Sequence, residues 1–432
     1  MNVSNTSKEK NMCKTKYLKY DVVVVGGGSA GVAAAIGAAQ AGASTLLIER
    51  NPYLGGEATH SILPAYCGFF TQTNPPEQVV GGVGNLVLEQ LAKMGKYDAP
   101  YRSAMGNAIV LLDPEAVKYA LDLCMDEAKV EYLLHTQVIR VEKVADRITS
   151  IECMDDSARF TIQASVFVDA TGEANLTALA DGPTIFGNEA GAIQIGTLAL
   201  RIGGVAPDAD ISGKSIKTAI IQAKSAGMGP LTKESGIIVR IPGLSDIITI
   251  LPSAKVNGID AVSLTKSEKY VRKQAHVYIN AFRKYLPGFE QAYLIQTGPK
   301  IGIRETRRVS GEYMLSADDV FQIRRFDNAI ARGAWPIEIH KDPEKMAEYT
   351  HLKNNSYFDI PIGAIKVKEI QNLWAAGRII SSDPIAYGSI RVMGTGFATG
   401  HAAGVAAALT IGKDGYDVDS IQSELIRQKA II

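Results

Sequence analysis

Three glycines near the N-terminus, Gly26, Gly28 and Gly31, have a spacing that suits contact with a phosphate group. In this G-x-G-x-x-G pattern the first glycine makes a tight turn, the second lets backbone N–H groups approach a pyrophosphate, and the third lets a helix pack on a strand. The helix that follows presents the positive end of its dipole to the phosphates. The pattern therefore predicts a dinucleotide-binding loop that includes Ser29 and Ala30.

The elements that position this loop can also be predicted. Valine-rich residues 21–25 indicate a buried parallel strand, small residues 29–41 a helix, and Thr45–Ile48 a second strand. Glu49 follows about 20 residues after the glycines, where a carboxylate can accept hydrogen bonds from a ribose 2′-OH. Such an acid favours FAD or NAD over NADP. Alternatively, these residues form only a close-packed crossover, and Glu49 is a solvated strand end.

A Gly-Gly turn comes shortly after this acid, in residues 50–59. Here the sequence resembles the two-dinucleotide-binding-domain flavoproteins, in which such a turn lies along the FAD and leads toward the flavin. NAD-only dehydrogenases usually lack this turn, so FAD becomes the preferred ligand. The resemblance implies FAD contacts for Arg50, Gly55, Gly56, Glu57 and Ala58.

Two later segments fit the same resemblance. A buried strand ends in Ala170, Thr171 and Gly172, where these flavoproteins return beneath the cofactor. The resemblance also places the backbone of Val138 against the adenine. Taken alone, residues 170–172 could be an ordinary exit from a strand to a loop.

The last ninety or so residues add a third segment, in which a strand at 372–376 is followed by Gly377 and Arg378. A small-residue helix is expected to begin near Gly396, and the resemblance directs its N-terminus at the N1/C2=O edge of the flavin, where negative charge develops on reduction. The cofactor-contacting residues implied at this helix are Gly394, Thr395, Gly396 and Phe397.

Together with residues 298–313, these segments resemble a bacterial family of FAD-dependent oxidoreductases related to the fumarate reductase and succinate dehydrogenase flavoproteins. The resemblance extends over about residues 19–409 and is weakest at 205–290, where substrate identity should be determined. It implies an α/β fold: a Rossmann-like FAD-binding domain of the glutathione reductase type with a parallel sheet, and an inserted, mainly antiparallel α+β substrate domain. We expect a flexible tail at 1–17, the FAD-binding domain at 18–187 and 341–432, and the substrate domain at 188–340.

Four side chains are candidates for catalysis. Hydride transfer to a flavin needs a group that takes a heteroatom proton and a group that orients the substrate. His60 follows the Gly-Gly turn and could act as a base or, less favoured, attach the flavin covalently. Arg391 precedes the flavin-facing helix, and His340 is placed to reach the site from the domain junction or to be a capped loop histidine.

Arg304 is the fourth candidate and lies in a run with Glu305, Arg307 and Arg308. Charges at this spacing either form an ion-pair network or leave Arg304 or Arg307 free to clamp a carboxylate in bidentate fashion. The sequence leaves both possibilities open.

Composition excludes several classes of protein. With 45 basic and 45 acidic residues the formal net charge is zero, which disfavours a dedicated nucleic-acid or membrane-surface protein. The 4 cysteines are widely spaced and form neither a CxxC pair nor a zinc site, so no metal is expected and a reducing cytoplasm is the predicted location. Residues 22–48 have the length of a membrane span, but their glycine pattern argues for the dinucleotide loop.

The sequence therefore predicts an FAD-dependent dehydrogenase or oxidase that oxidises, or in reverse reduces, a small polar metabolite. Non-covalent FAD is favoured over covalent FAD, and O₂, a quinone or a partner protein is expected to accept the electrons. A homodimer is the default expectation. The alternatives are a flavoprotein of the tRNA-modifying type, disfavoured by the zero net charge, and an FAD-binding electron-transfer subunit of a complex.

Overall fold

A computed structural model of the chain describes residues 17–103 and 105–432. Most of the predicted tail, together with Cys13, lies outside the described residues, and Tyr17 already belongs to the first strand. Strands of the N-terminal part are β1 (Tyr17–Val25), β2 (Thr45–Ile48), β3 (Ala65–Cys67), β4 (Tyr101–Arg102), β5 (Ala108–Leu111), β6 (Glu131–Leu133), β7 (Gln137–Val144), β8 (Arg147–Met154), β9 (Arg159–Asp169) and β10 (Thr184–Phe186). Its helices are α1 (Ser29–Gln40), α2 (Glu57–His60), α3 (Val83–Lys93), α4 (Pro114–Glu127) and α5 (Asn175–Leu179).

The middle of the chain carries short strands around two longer helices. Its strands are β11 (Gly196–Thr197), β12 (Leu200–Gly203), β13 (Ile238–Arg240), β14 (Ile247–Thr249), β15 (Ser253–Ala254), β16 (Tyr293–Thr297), β17 (Arg307–Val309), β18 (Ala329–Gly333) and β19 (Ile337–Ile339). Its helices are α6 (Gly213–Ser225), α7 (Ala261–Tyr285) and α8 (Ala317–Phe321).

The C-terminal part returns to the first sheet and ends in helices. Its elements are β20 (Glu348–Thr350), β21 (Phe358–Pro361), β22 (Leu373–Ala375), α9 (Tyr387–Ile390), α10 (Met393–Leu409) and α11 (Val418–Arg427). Short 3₁₀ turns occur at Lys353–Asn355, Ile362–Ala364 and Gly377–Ile379.

The main sheet has seven strands in the order β6-β2-β1-β9-β8-β7, with β22 also pairing with β9. The pairs β6–β2, β2–β1, β1–β9 and β9–β22 are parallel, and β7 and β8 continue the sheet in antiparallel fashion. Both faces are covered, since Val22 and Val24 pack in one core with α1 and α10 whereas Val23 and Val25 pack in another. This burial on both faces explains the unbroken valine run of β1. A mixed α/β fold with a parallel sheet of the dinucleotide-binding type is thereby confirmed.

Helices α1 and α10 cross at very short range because both are built from small residues. A methyl group at Gly400 would lie 2.1 Å from the Ala30 carbonyl oxygen, and one at Gly404 would lie 1.9 Å from that of Ala34. Only glycine allows this approach, which fixes the N-termini of the two helices relative to each other.

The middle part has a hydrophobic core of its own, formed by buried residues between Leu198 and Ile303. An antiparallel sheet in the order β13-β14-β12-β16 contributes to this core together with α6 and α7. This arrangement agrees with the expected antiparallel character of the region.

The predicted start of α10, near Gly396, is wrong by a few residues, and a comparison with α7 shows why. Helix α7 begins at Ala261, where the Asp260 carboxylate caps it by accepting hydrogen bonds from Val262 N and Ser263 N. Helix α10 begins at Met393, after Val392, which offers no side-chain cap. The buried strand expected before Ala170 is the end of one long strand, β9.

Among the described residues, no helix combines the length and the apolar character that crossing a bilayer requires. The uncharged stretch at 22–48 instead forms most of the β1–α1–β2 unit.

Candidate active site

The glycine-rich loop has the geometry that its spacing predicts. Gly26 has φ +106°, and a methyl group at Gly31 would lie 1.7 Å from the Gly26 carbonyl oxygen, so both positions require glycine. Gly28 is the N-cap of α1 and forms a β-bridge with Gly55, whose N–H donates to the Gly27 carbonyl oxygen at 2.8 Å. The Gly-Gly turn is therefore held against the N-terminus of α1.

Glu49 is buried rather than a solvated strand end, with 6% of its surface exposed. Its Oε2 accepts a hydrogen bond from Gly27 N at 2.6 Å, and its Oε1 accepts one from Asn51 N at 2.9 Å. Oε1 also accepts a hydrogen bond from Asn51 Nδ2 at 2.5 Å, so the capacity for a further hydrogen bond lies at Oε2. Glu49 thus both orients the loop and lines the cleft described next.

A cleft of about 650 Å³ runs along the C-terminal edge of the parallel strands. Most of the predicted cofactor residues line it: Gly26, Gly28, Ser29, Ala30, Glu49, Arg50, Gly56, Glu57, Val138, Ala170, Thr171, Gly172, Gly377, Arg378 and Gly396. Two candidates for catalysis, His60 and Arg391, line it as well. Its volume lies in the range of small-molecule and cofactor sites.

Six predicted cofactor residues are absent from the cleft lining: Gly31, Gly55, Ala58, Gly394, Thr395 and Phe397. Phe397, for example, packs edge-on against Tyr66 with ring centroids 5.3 Å apart. A methyl group at Gly394 would lie 2.6 Å from the Cys67 carbonyl oxygen, so this glycine lets α10 approach β3.

The turn after β9 is shaped by a buried aspartate. The Oδ1 atom of Asp169 accepts a hydrogen bond from the Thr171 hydroxyl at 2.7 Å, and its Oδ2 accepts one from the Thr177 hydroxyl at the same distance. Gly172, with φ +80°, then brings the backbone against the guanidinium of Arg378. Residues 170–172 therefore form an ordered, hydrogen-bonded side of the cleft rather than an ordinary exit from a strand to a loop.

An ion-pair network crosses the middle of the cleft. Arg378 donates to Glu173 Oε1 at 2.6 Å and to Glu57 Oε1 at 3.2 Å, and Lys300 Nζ also lies 3.2 Å from Glu57 Oε1. Burial acts to raise the pKa of Glu57, but Lys300 and Arg378 outweigh it and lower the pKa to about 2. The network holds the Gly-Gly turn against the segment that follows β22.

The N-terminus of α10 meets the far end of the cleft, where Arg391, Val392, Met393 and Gly396 are lining residues. The N–H groups of residues 393–395 precede the first intrahelical hydrogen bond, from Gly396 N to Val392 O at 3.0 Å. The Thr395 hydroxyl is buried and has no partner among the described residues. This helix end can stabilise negative charge.

His60 lies on the cleft with one ring nitrogen engaged. Its Nδ1 is 3.0 Å from the Gly56 carbonyl oxygen, to which it donates, and its ring stacks on Tyr53 at 4.5 Å. Burial lowers the pKa of His60, so the ring is neutral and Nε2 carries a lone pair. That buried Nε2 has no partner among the described residues.

A second group of polar side chains adjoins Arg391, and we name it the Glu338 cluster: Trp335, Glu338, His340, Tyr349 and Arg391. Glu338 Oε1 accepts from His340 Nε2 at 2.7 Å and from the Tyr349 hydroxyl at 2.8 Å. Its Oε2 accepts from Trp335 Nε1 at 2.9 Å and lies 3.2 Å from Arg391 Nη2. Burial opposes ionisation of Glu338, yet Arg391 and His340 hold its pKa well below the usual range.

His340 is buried and neutral in this cluster. Burial, followed by the positive charge of Arg304, lowers the pKa of His340 to about 3. Because ionised Glu338 can only accept hydrogen bonds, His340 Nε2 carries the proton and Nδ1 the lone pair. Nδ1 is buried without a partner among the described residues.

The three arginines of the 304–308 run have separate environments. Arg308 is a structural residue, since it is fully buried and paired with Glu305 Oε1 at 2.7 Å. Arg307 lines the cleft and donates to the Asn175 side chain at 2.6 Å. Arg304 is turned toward the Glu338 cluster and donates from Nη1 to the Ile195 carbonyl oxygen at 2.8 Å.

Sequence reasoning missed Glu338, Lys300 and Lys233 as site residues. Lys233 is 4% exposed and lies close enough to Arg304 and Glu338 to feel their charges. Glu338 could have been found from the sequence, because a charged residue within an apolar strand indicates a buried, paired or functional side chain. Lys233 lies in a loop and carries no such signal.

We expect acid to weaken the fold through His340. An unfolded histidine titrates near pH ~6.5, whereas the folded pKa is about 3, so stability that is present above pH ~6.5 is lost as the pH falls toward 3. At pH ~5 this one group should lower the free energy of unfolding by about 2 kcal/mol. The melting temperature is measured at neutral pH and at pH ~5. The drop between the two should be smaller for His340→Gln than for the wild type.

His276→Gln is the matched control, because His276 is exposed on α7. This variant should lose as much stability in acid as the wild type. Equal losses in the wild type and His340→Gln would contradict a buried, neutral His340.

The cleft has the features that suit a dinucleotide, and its far end meets a second helix N-terminus. The glycine cradle, the buried Glu49 and the partnerless Nε2 of His60 fit a cofactor with phosphate, ribose and polar ring groups. Residues 21–429 match the family model described as FAD dependent oxidoreductase. The chain belongs to this family, and it is accordingly an FAD-dependent enzyme.

Other comparisons give short or distant likenesses. The chain is 50% identical over 50 residues to a vinyl phenol reductase of Lactiplantibacillus plantarum, which is 12% of this chain and 10% of that protein. It is 56% identical over 41 residues to a thiamine thiazole synthase of Aeropyrum pernix, which is 10% of this chain and 15% of that protein. These matches span only a small part of either relative.

Solved structures resemble the chain over almost its whole length. The structure of BexE has 12% sequence identity and a TM-score of 0.50, with 95% of this chain and 66% of that chain covered. A geranylgeranyl bacteriochlorophyll reductase-like protein from Thermoplasma acidophilum has 17% identity and a TM-score of 0.47, with 96% and 85% covered. At a sequence identity this low, the similarity to BexE shows a shared fold and nothing about the reaction.

Proposed function

We propose that this enzyme oxidises, or in reverse reduces, a small polar metabolite by hydride transfer between a substrate carbon and flavin N5. The observation that supports the proposal is the position of the Glu338 cluster, which Arg391 joins to the end of the cofactor cleft. A histidine lone pair and several cations are thereby placed beside the helix N-terminus that suits a reduced flavin.

Different lining residues contact different parts of the cofactor. The Gly26–Gly31 loop and the N-terminus of α1 hold the pyrophosphate, Glu49 the ribose, Val138 the adenine, and α10 the N1/C2=O edge of the flavin. FAD, when bound, accepts or gives a hydride at N5 and exchanges two electrons with O₂, a quinone or a partner protein. We propose non-covalent binding, in which His60 Nε2 accepts a hydrogen bond from the cofactor.

His340 is proposed to take the proton that accompanies the hydride. When the substrate C–H bond breaks and its hydride leaves, the proton of the adjacent O–H or N–H group moves to the Nδ1 lone pair of His340. Glu338 positions the ring and stabilises the imidazolium, since it already accepts from Nε2–H at 2.7 Å. Arg304 and Arg391 orient the substrate.

We also propose the domain division expected above: residues 18–187 and 341–432 as an FAD-binding domain of the glutathione reductase type, and 188–340 as a substrate domain. The separate core between Leu198 and Ile303 supports this division.

The test is an absorption spectrum of the purified protein before and after acid precipitation, followed by anaerobic titration with pooled hydroxy acids, amino acids and amines. We expect a flavin spectrum that moves to the supernatant and is bleached by one pool. Colour retained in the pellet would indicate covalent attachment, with His60 as the first residue to substitute.

Two results would reject hydride transfer from a small metabolite. Flavin that is bleached only by a co-purifying protein would indicate an electron-transfer subunit. Flavin that no small donor bleaches, in a protein that retains RNA at low salt, would indicate action on nucleic acid.

A further inference from the structure

We propose that Lys233, Arg304 and Arg391 bind a carboxylate group of the substrate next to the Glu338 cluster. This assignment rests on the proposed function and narrows its substrate to an acid, such as a hydroxy acid or an amino acid, rather than an amine or a sugar.

Lys233 is the first support for this site. It is 4% exposed, yet its Nζ has no hydrogen bond or ion pair among the described residues. Its backbone is fixed, because its carbonyl oxygen accepts a hydrogen bond from the Tyr278 hydroxyl at 2.7 Å. A buried lysine without a partner is costly and rarely retained without a role.

Arg304 offers donors to the same place. A guanidinium has five N–H donors in a planar fork, and among the described residues one of them is used, by the hydrogen bond from Nη1 to the Ile195 carbonyl oxygen at 2.8 Å. The backbone of Arg304 is also fixed, since the Tyr387 hydroxyl donates to its carbonyl oxygen at 2.6 Å. The remaining donors of the fork match the geometry of a carboxylate.

Arg391 connects this pair of cations to the cofactor cleft. One of its nitrogens, Nη2, contacts Glu338, whereas the buried Nε has no partner among the described residues. The residue lines the cleft and directly precedes Val392, the N-cap of α10.

The charges of these side chains do not balance. Arg304, Arg391 and the partly protonated Lys233 share Glu338, both oxygens of which already accept hydrogen bonds. Glu57 and Glu305 also lie near enough to Arg304 and Arg391 to act on their charges, but each is already paired, Glu57 with Lys300 and Arg378 and Glu305 with Arg308. His340 is neutral and adds no compensating charge. An anionic substrate group supplies the missing charge.

Lys233 is poised to respond to such an anion. Burial, followed by the charge of Arg304, lowers the pKa of Lys233 to about 7, so it is only partly protonated at neutral pH. A carboxylate beside it favours the ammonium form.

The test measures binding to oxidised, FAD-loaded enzyme, without turnover. Propionate, lactate and succinate are titrated against propionamide, lactamide and inorganic phosphate, and the flavin difference spectrum and melting temperature are recorded. We expect carboxylates to perturb the flavin and raise the melting temperature, and the amides to do neither. Equal responses to acids and amides would overturn the proposal, and a response to phosphate alone would overturn the assignment of a carboxylate.

Lys233→Met tests the residue itself. We expect carboxylate affinity to fall about tenfold or more, while the melting temperature without ligand rises because a buried charge has been removed. Lys217→Met is the matched control, since Lys217 is exposed on α6, and it should change neither property. Unchanged affinity in Lys233→Met would overturn the proposal, and Lys233→Gln provides the same comparison should the methionine variant not fold.

Failure of this inference can be distinguished from failure of the proposed function. If a small non-acidic donor bleaches the flavin and carboxylates do not bind, the carboxylate site is wrong and hydride transfer stands. If carboxylates bind but no small donor reduces the flavin, the site stands and the proposed reaction is wrong.

Discussion

Gly28→Ala should give a folded protein that has lost most of its FAD. A methyl group at Gly28 would have one heavy-atom neighbour within 4 Å among the described residues, the Gly56 Cα at 3.7 Å, and the residue has an ordinary φ of −73°. The protein itself therefore tolerates the change. Because Gly28 lines the cleft at the N-terminus of α1, the methyl group would stand where the pyrophosphate must approach the backbone.

The expected loss in FAD affinity is about 10- to 100-fold, which corresponds to an overpacking cost of about 1 to 3 kcal/mol. The measurement is the ratio of flavin to protein after purification, together with the affinity for added FAD. Melting of the apoprotein should match that of wild-type apoprotein.

Gly31→Ala provides the contrast. Its methyl group would lie 1.7 Å from the Gly26 carbonyl oxygen, so this variant should lose stability as well as FAD. Gly213→Ala is the control, since Gly213 lies at the start of α6 with no neighbour within 4 Å among the described residues, and it should keep both. A Gly28→Ala protein with full flavin content would show that the loop is only a close-packed crossover.

The difference between these glycines illustrates what the sequence could predict. The order of strand, glycines, helix and acid follows from local chemistry: only glycine fits at Gly26 and Gly31, and only a run buried on both faces, such as residues 22–25 of β1, can be apolar at every position. Those constraints are local, so they can be read from the residues. A local contact also fixes the start of α4, where the Asp113 side chain accepts a hydrogen bond from Glu115 N.

The candidate substrate site could be predicted only in part. Lys233, Arg304, Glu338 and Arg391 come from four separate segments, and their meeting depends on the packing of β19, α10 and the loop before β13. No local pattern relates such residues. The start of α10 was misplaced for a related reason, since Val392 has no capping side chain and the first turn is stabilised by packing against β3 rather than by its sequence.

Glu338→Gln should nearly abolish turnover. The substitution keeps the shape of the side chain but removes the negative charge among Arg304, Arg391 and Lys233, and it no longer requires His340 Nε2 to carry the proton. If His340 accepts the substrate proton, kcat should fall about a hundredfold or more. Stability should also fall, by about 3 to 5 kcal/mol, because Arg391 loses its buried partner.

Glu305→Gln separates the chemical role of Glu338 from its structural role. Glu305 is likewise a buried glutamate, paired with Arg308 at 2.7 Å, but it lies outside the Glu338 cluster. We expect this variant to lose comparable stability while retaining kcat within about threefold of the wild type. Equal losses of kcat in the two variants would show that Glu338 only supports the fold.

In Glu338→Gln, carboxylate affinity should change in the opposite direction from turnover. Removing the charge of Glu338 takes away the carboxylate that contacts Arg391 and acts on Arg304 and Lys233, so the affinity of the oxidised enzyme for propionate should be retained or increased while kcat falls. A structural collapse of the cluster would lower both quantities together. Affinity and turnover that move in opposite directions would therefore assign anion binding to the three cations and proton transfer to the pair of Glu338 and His340.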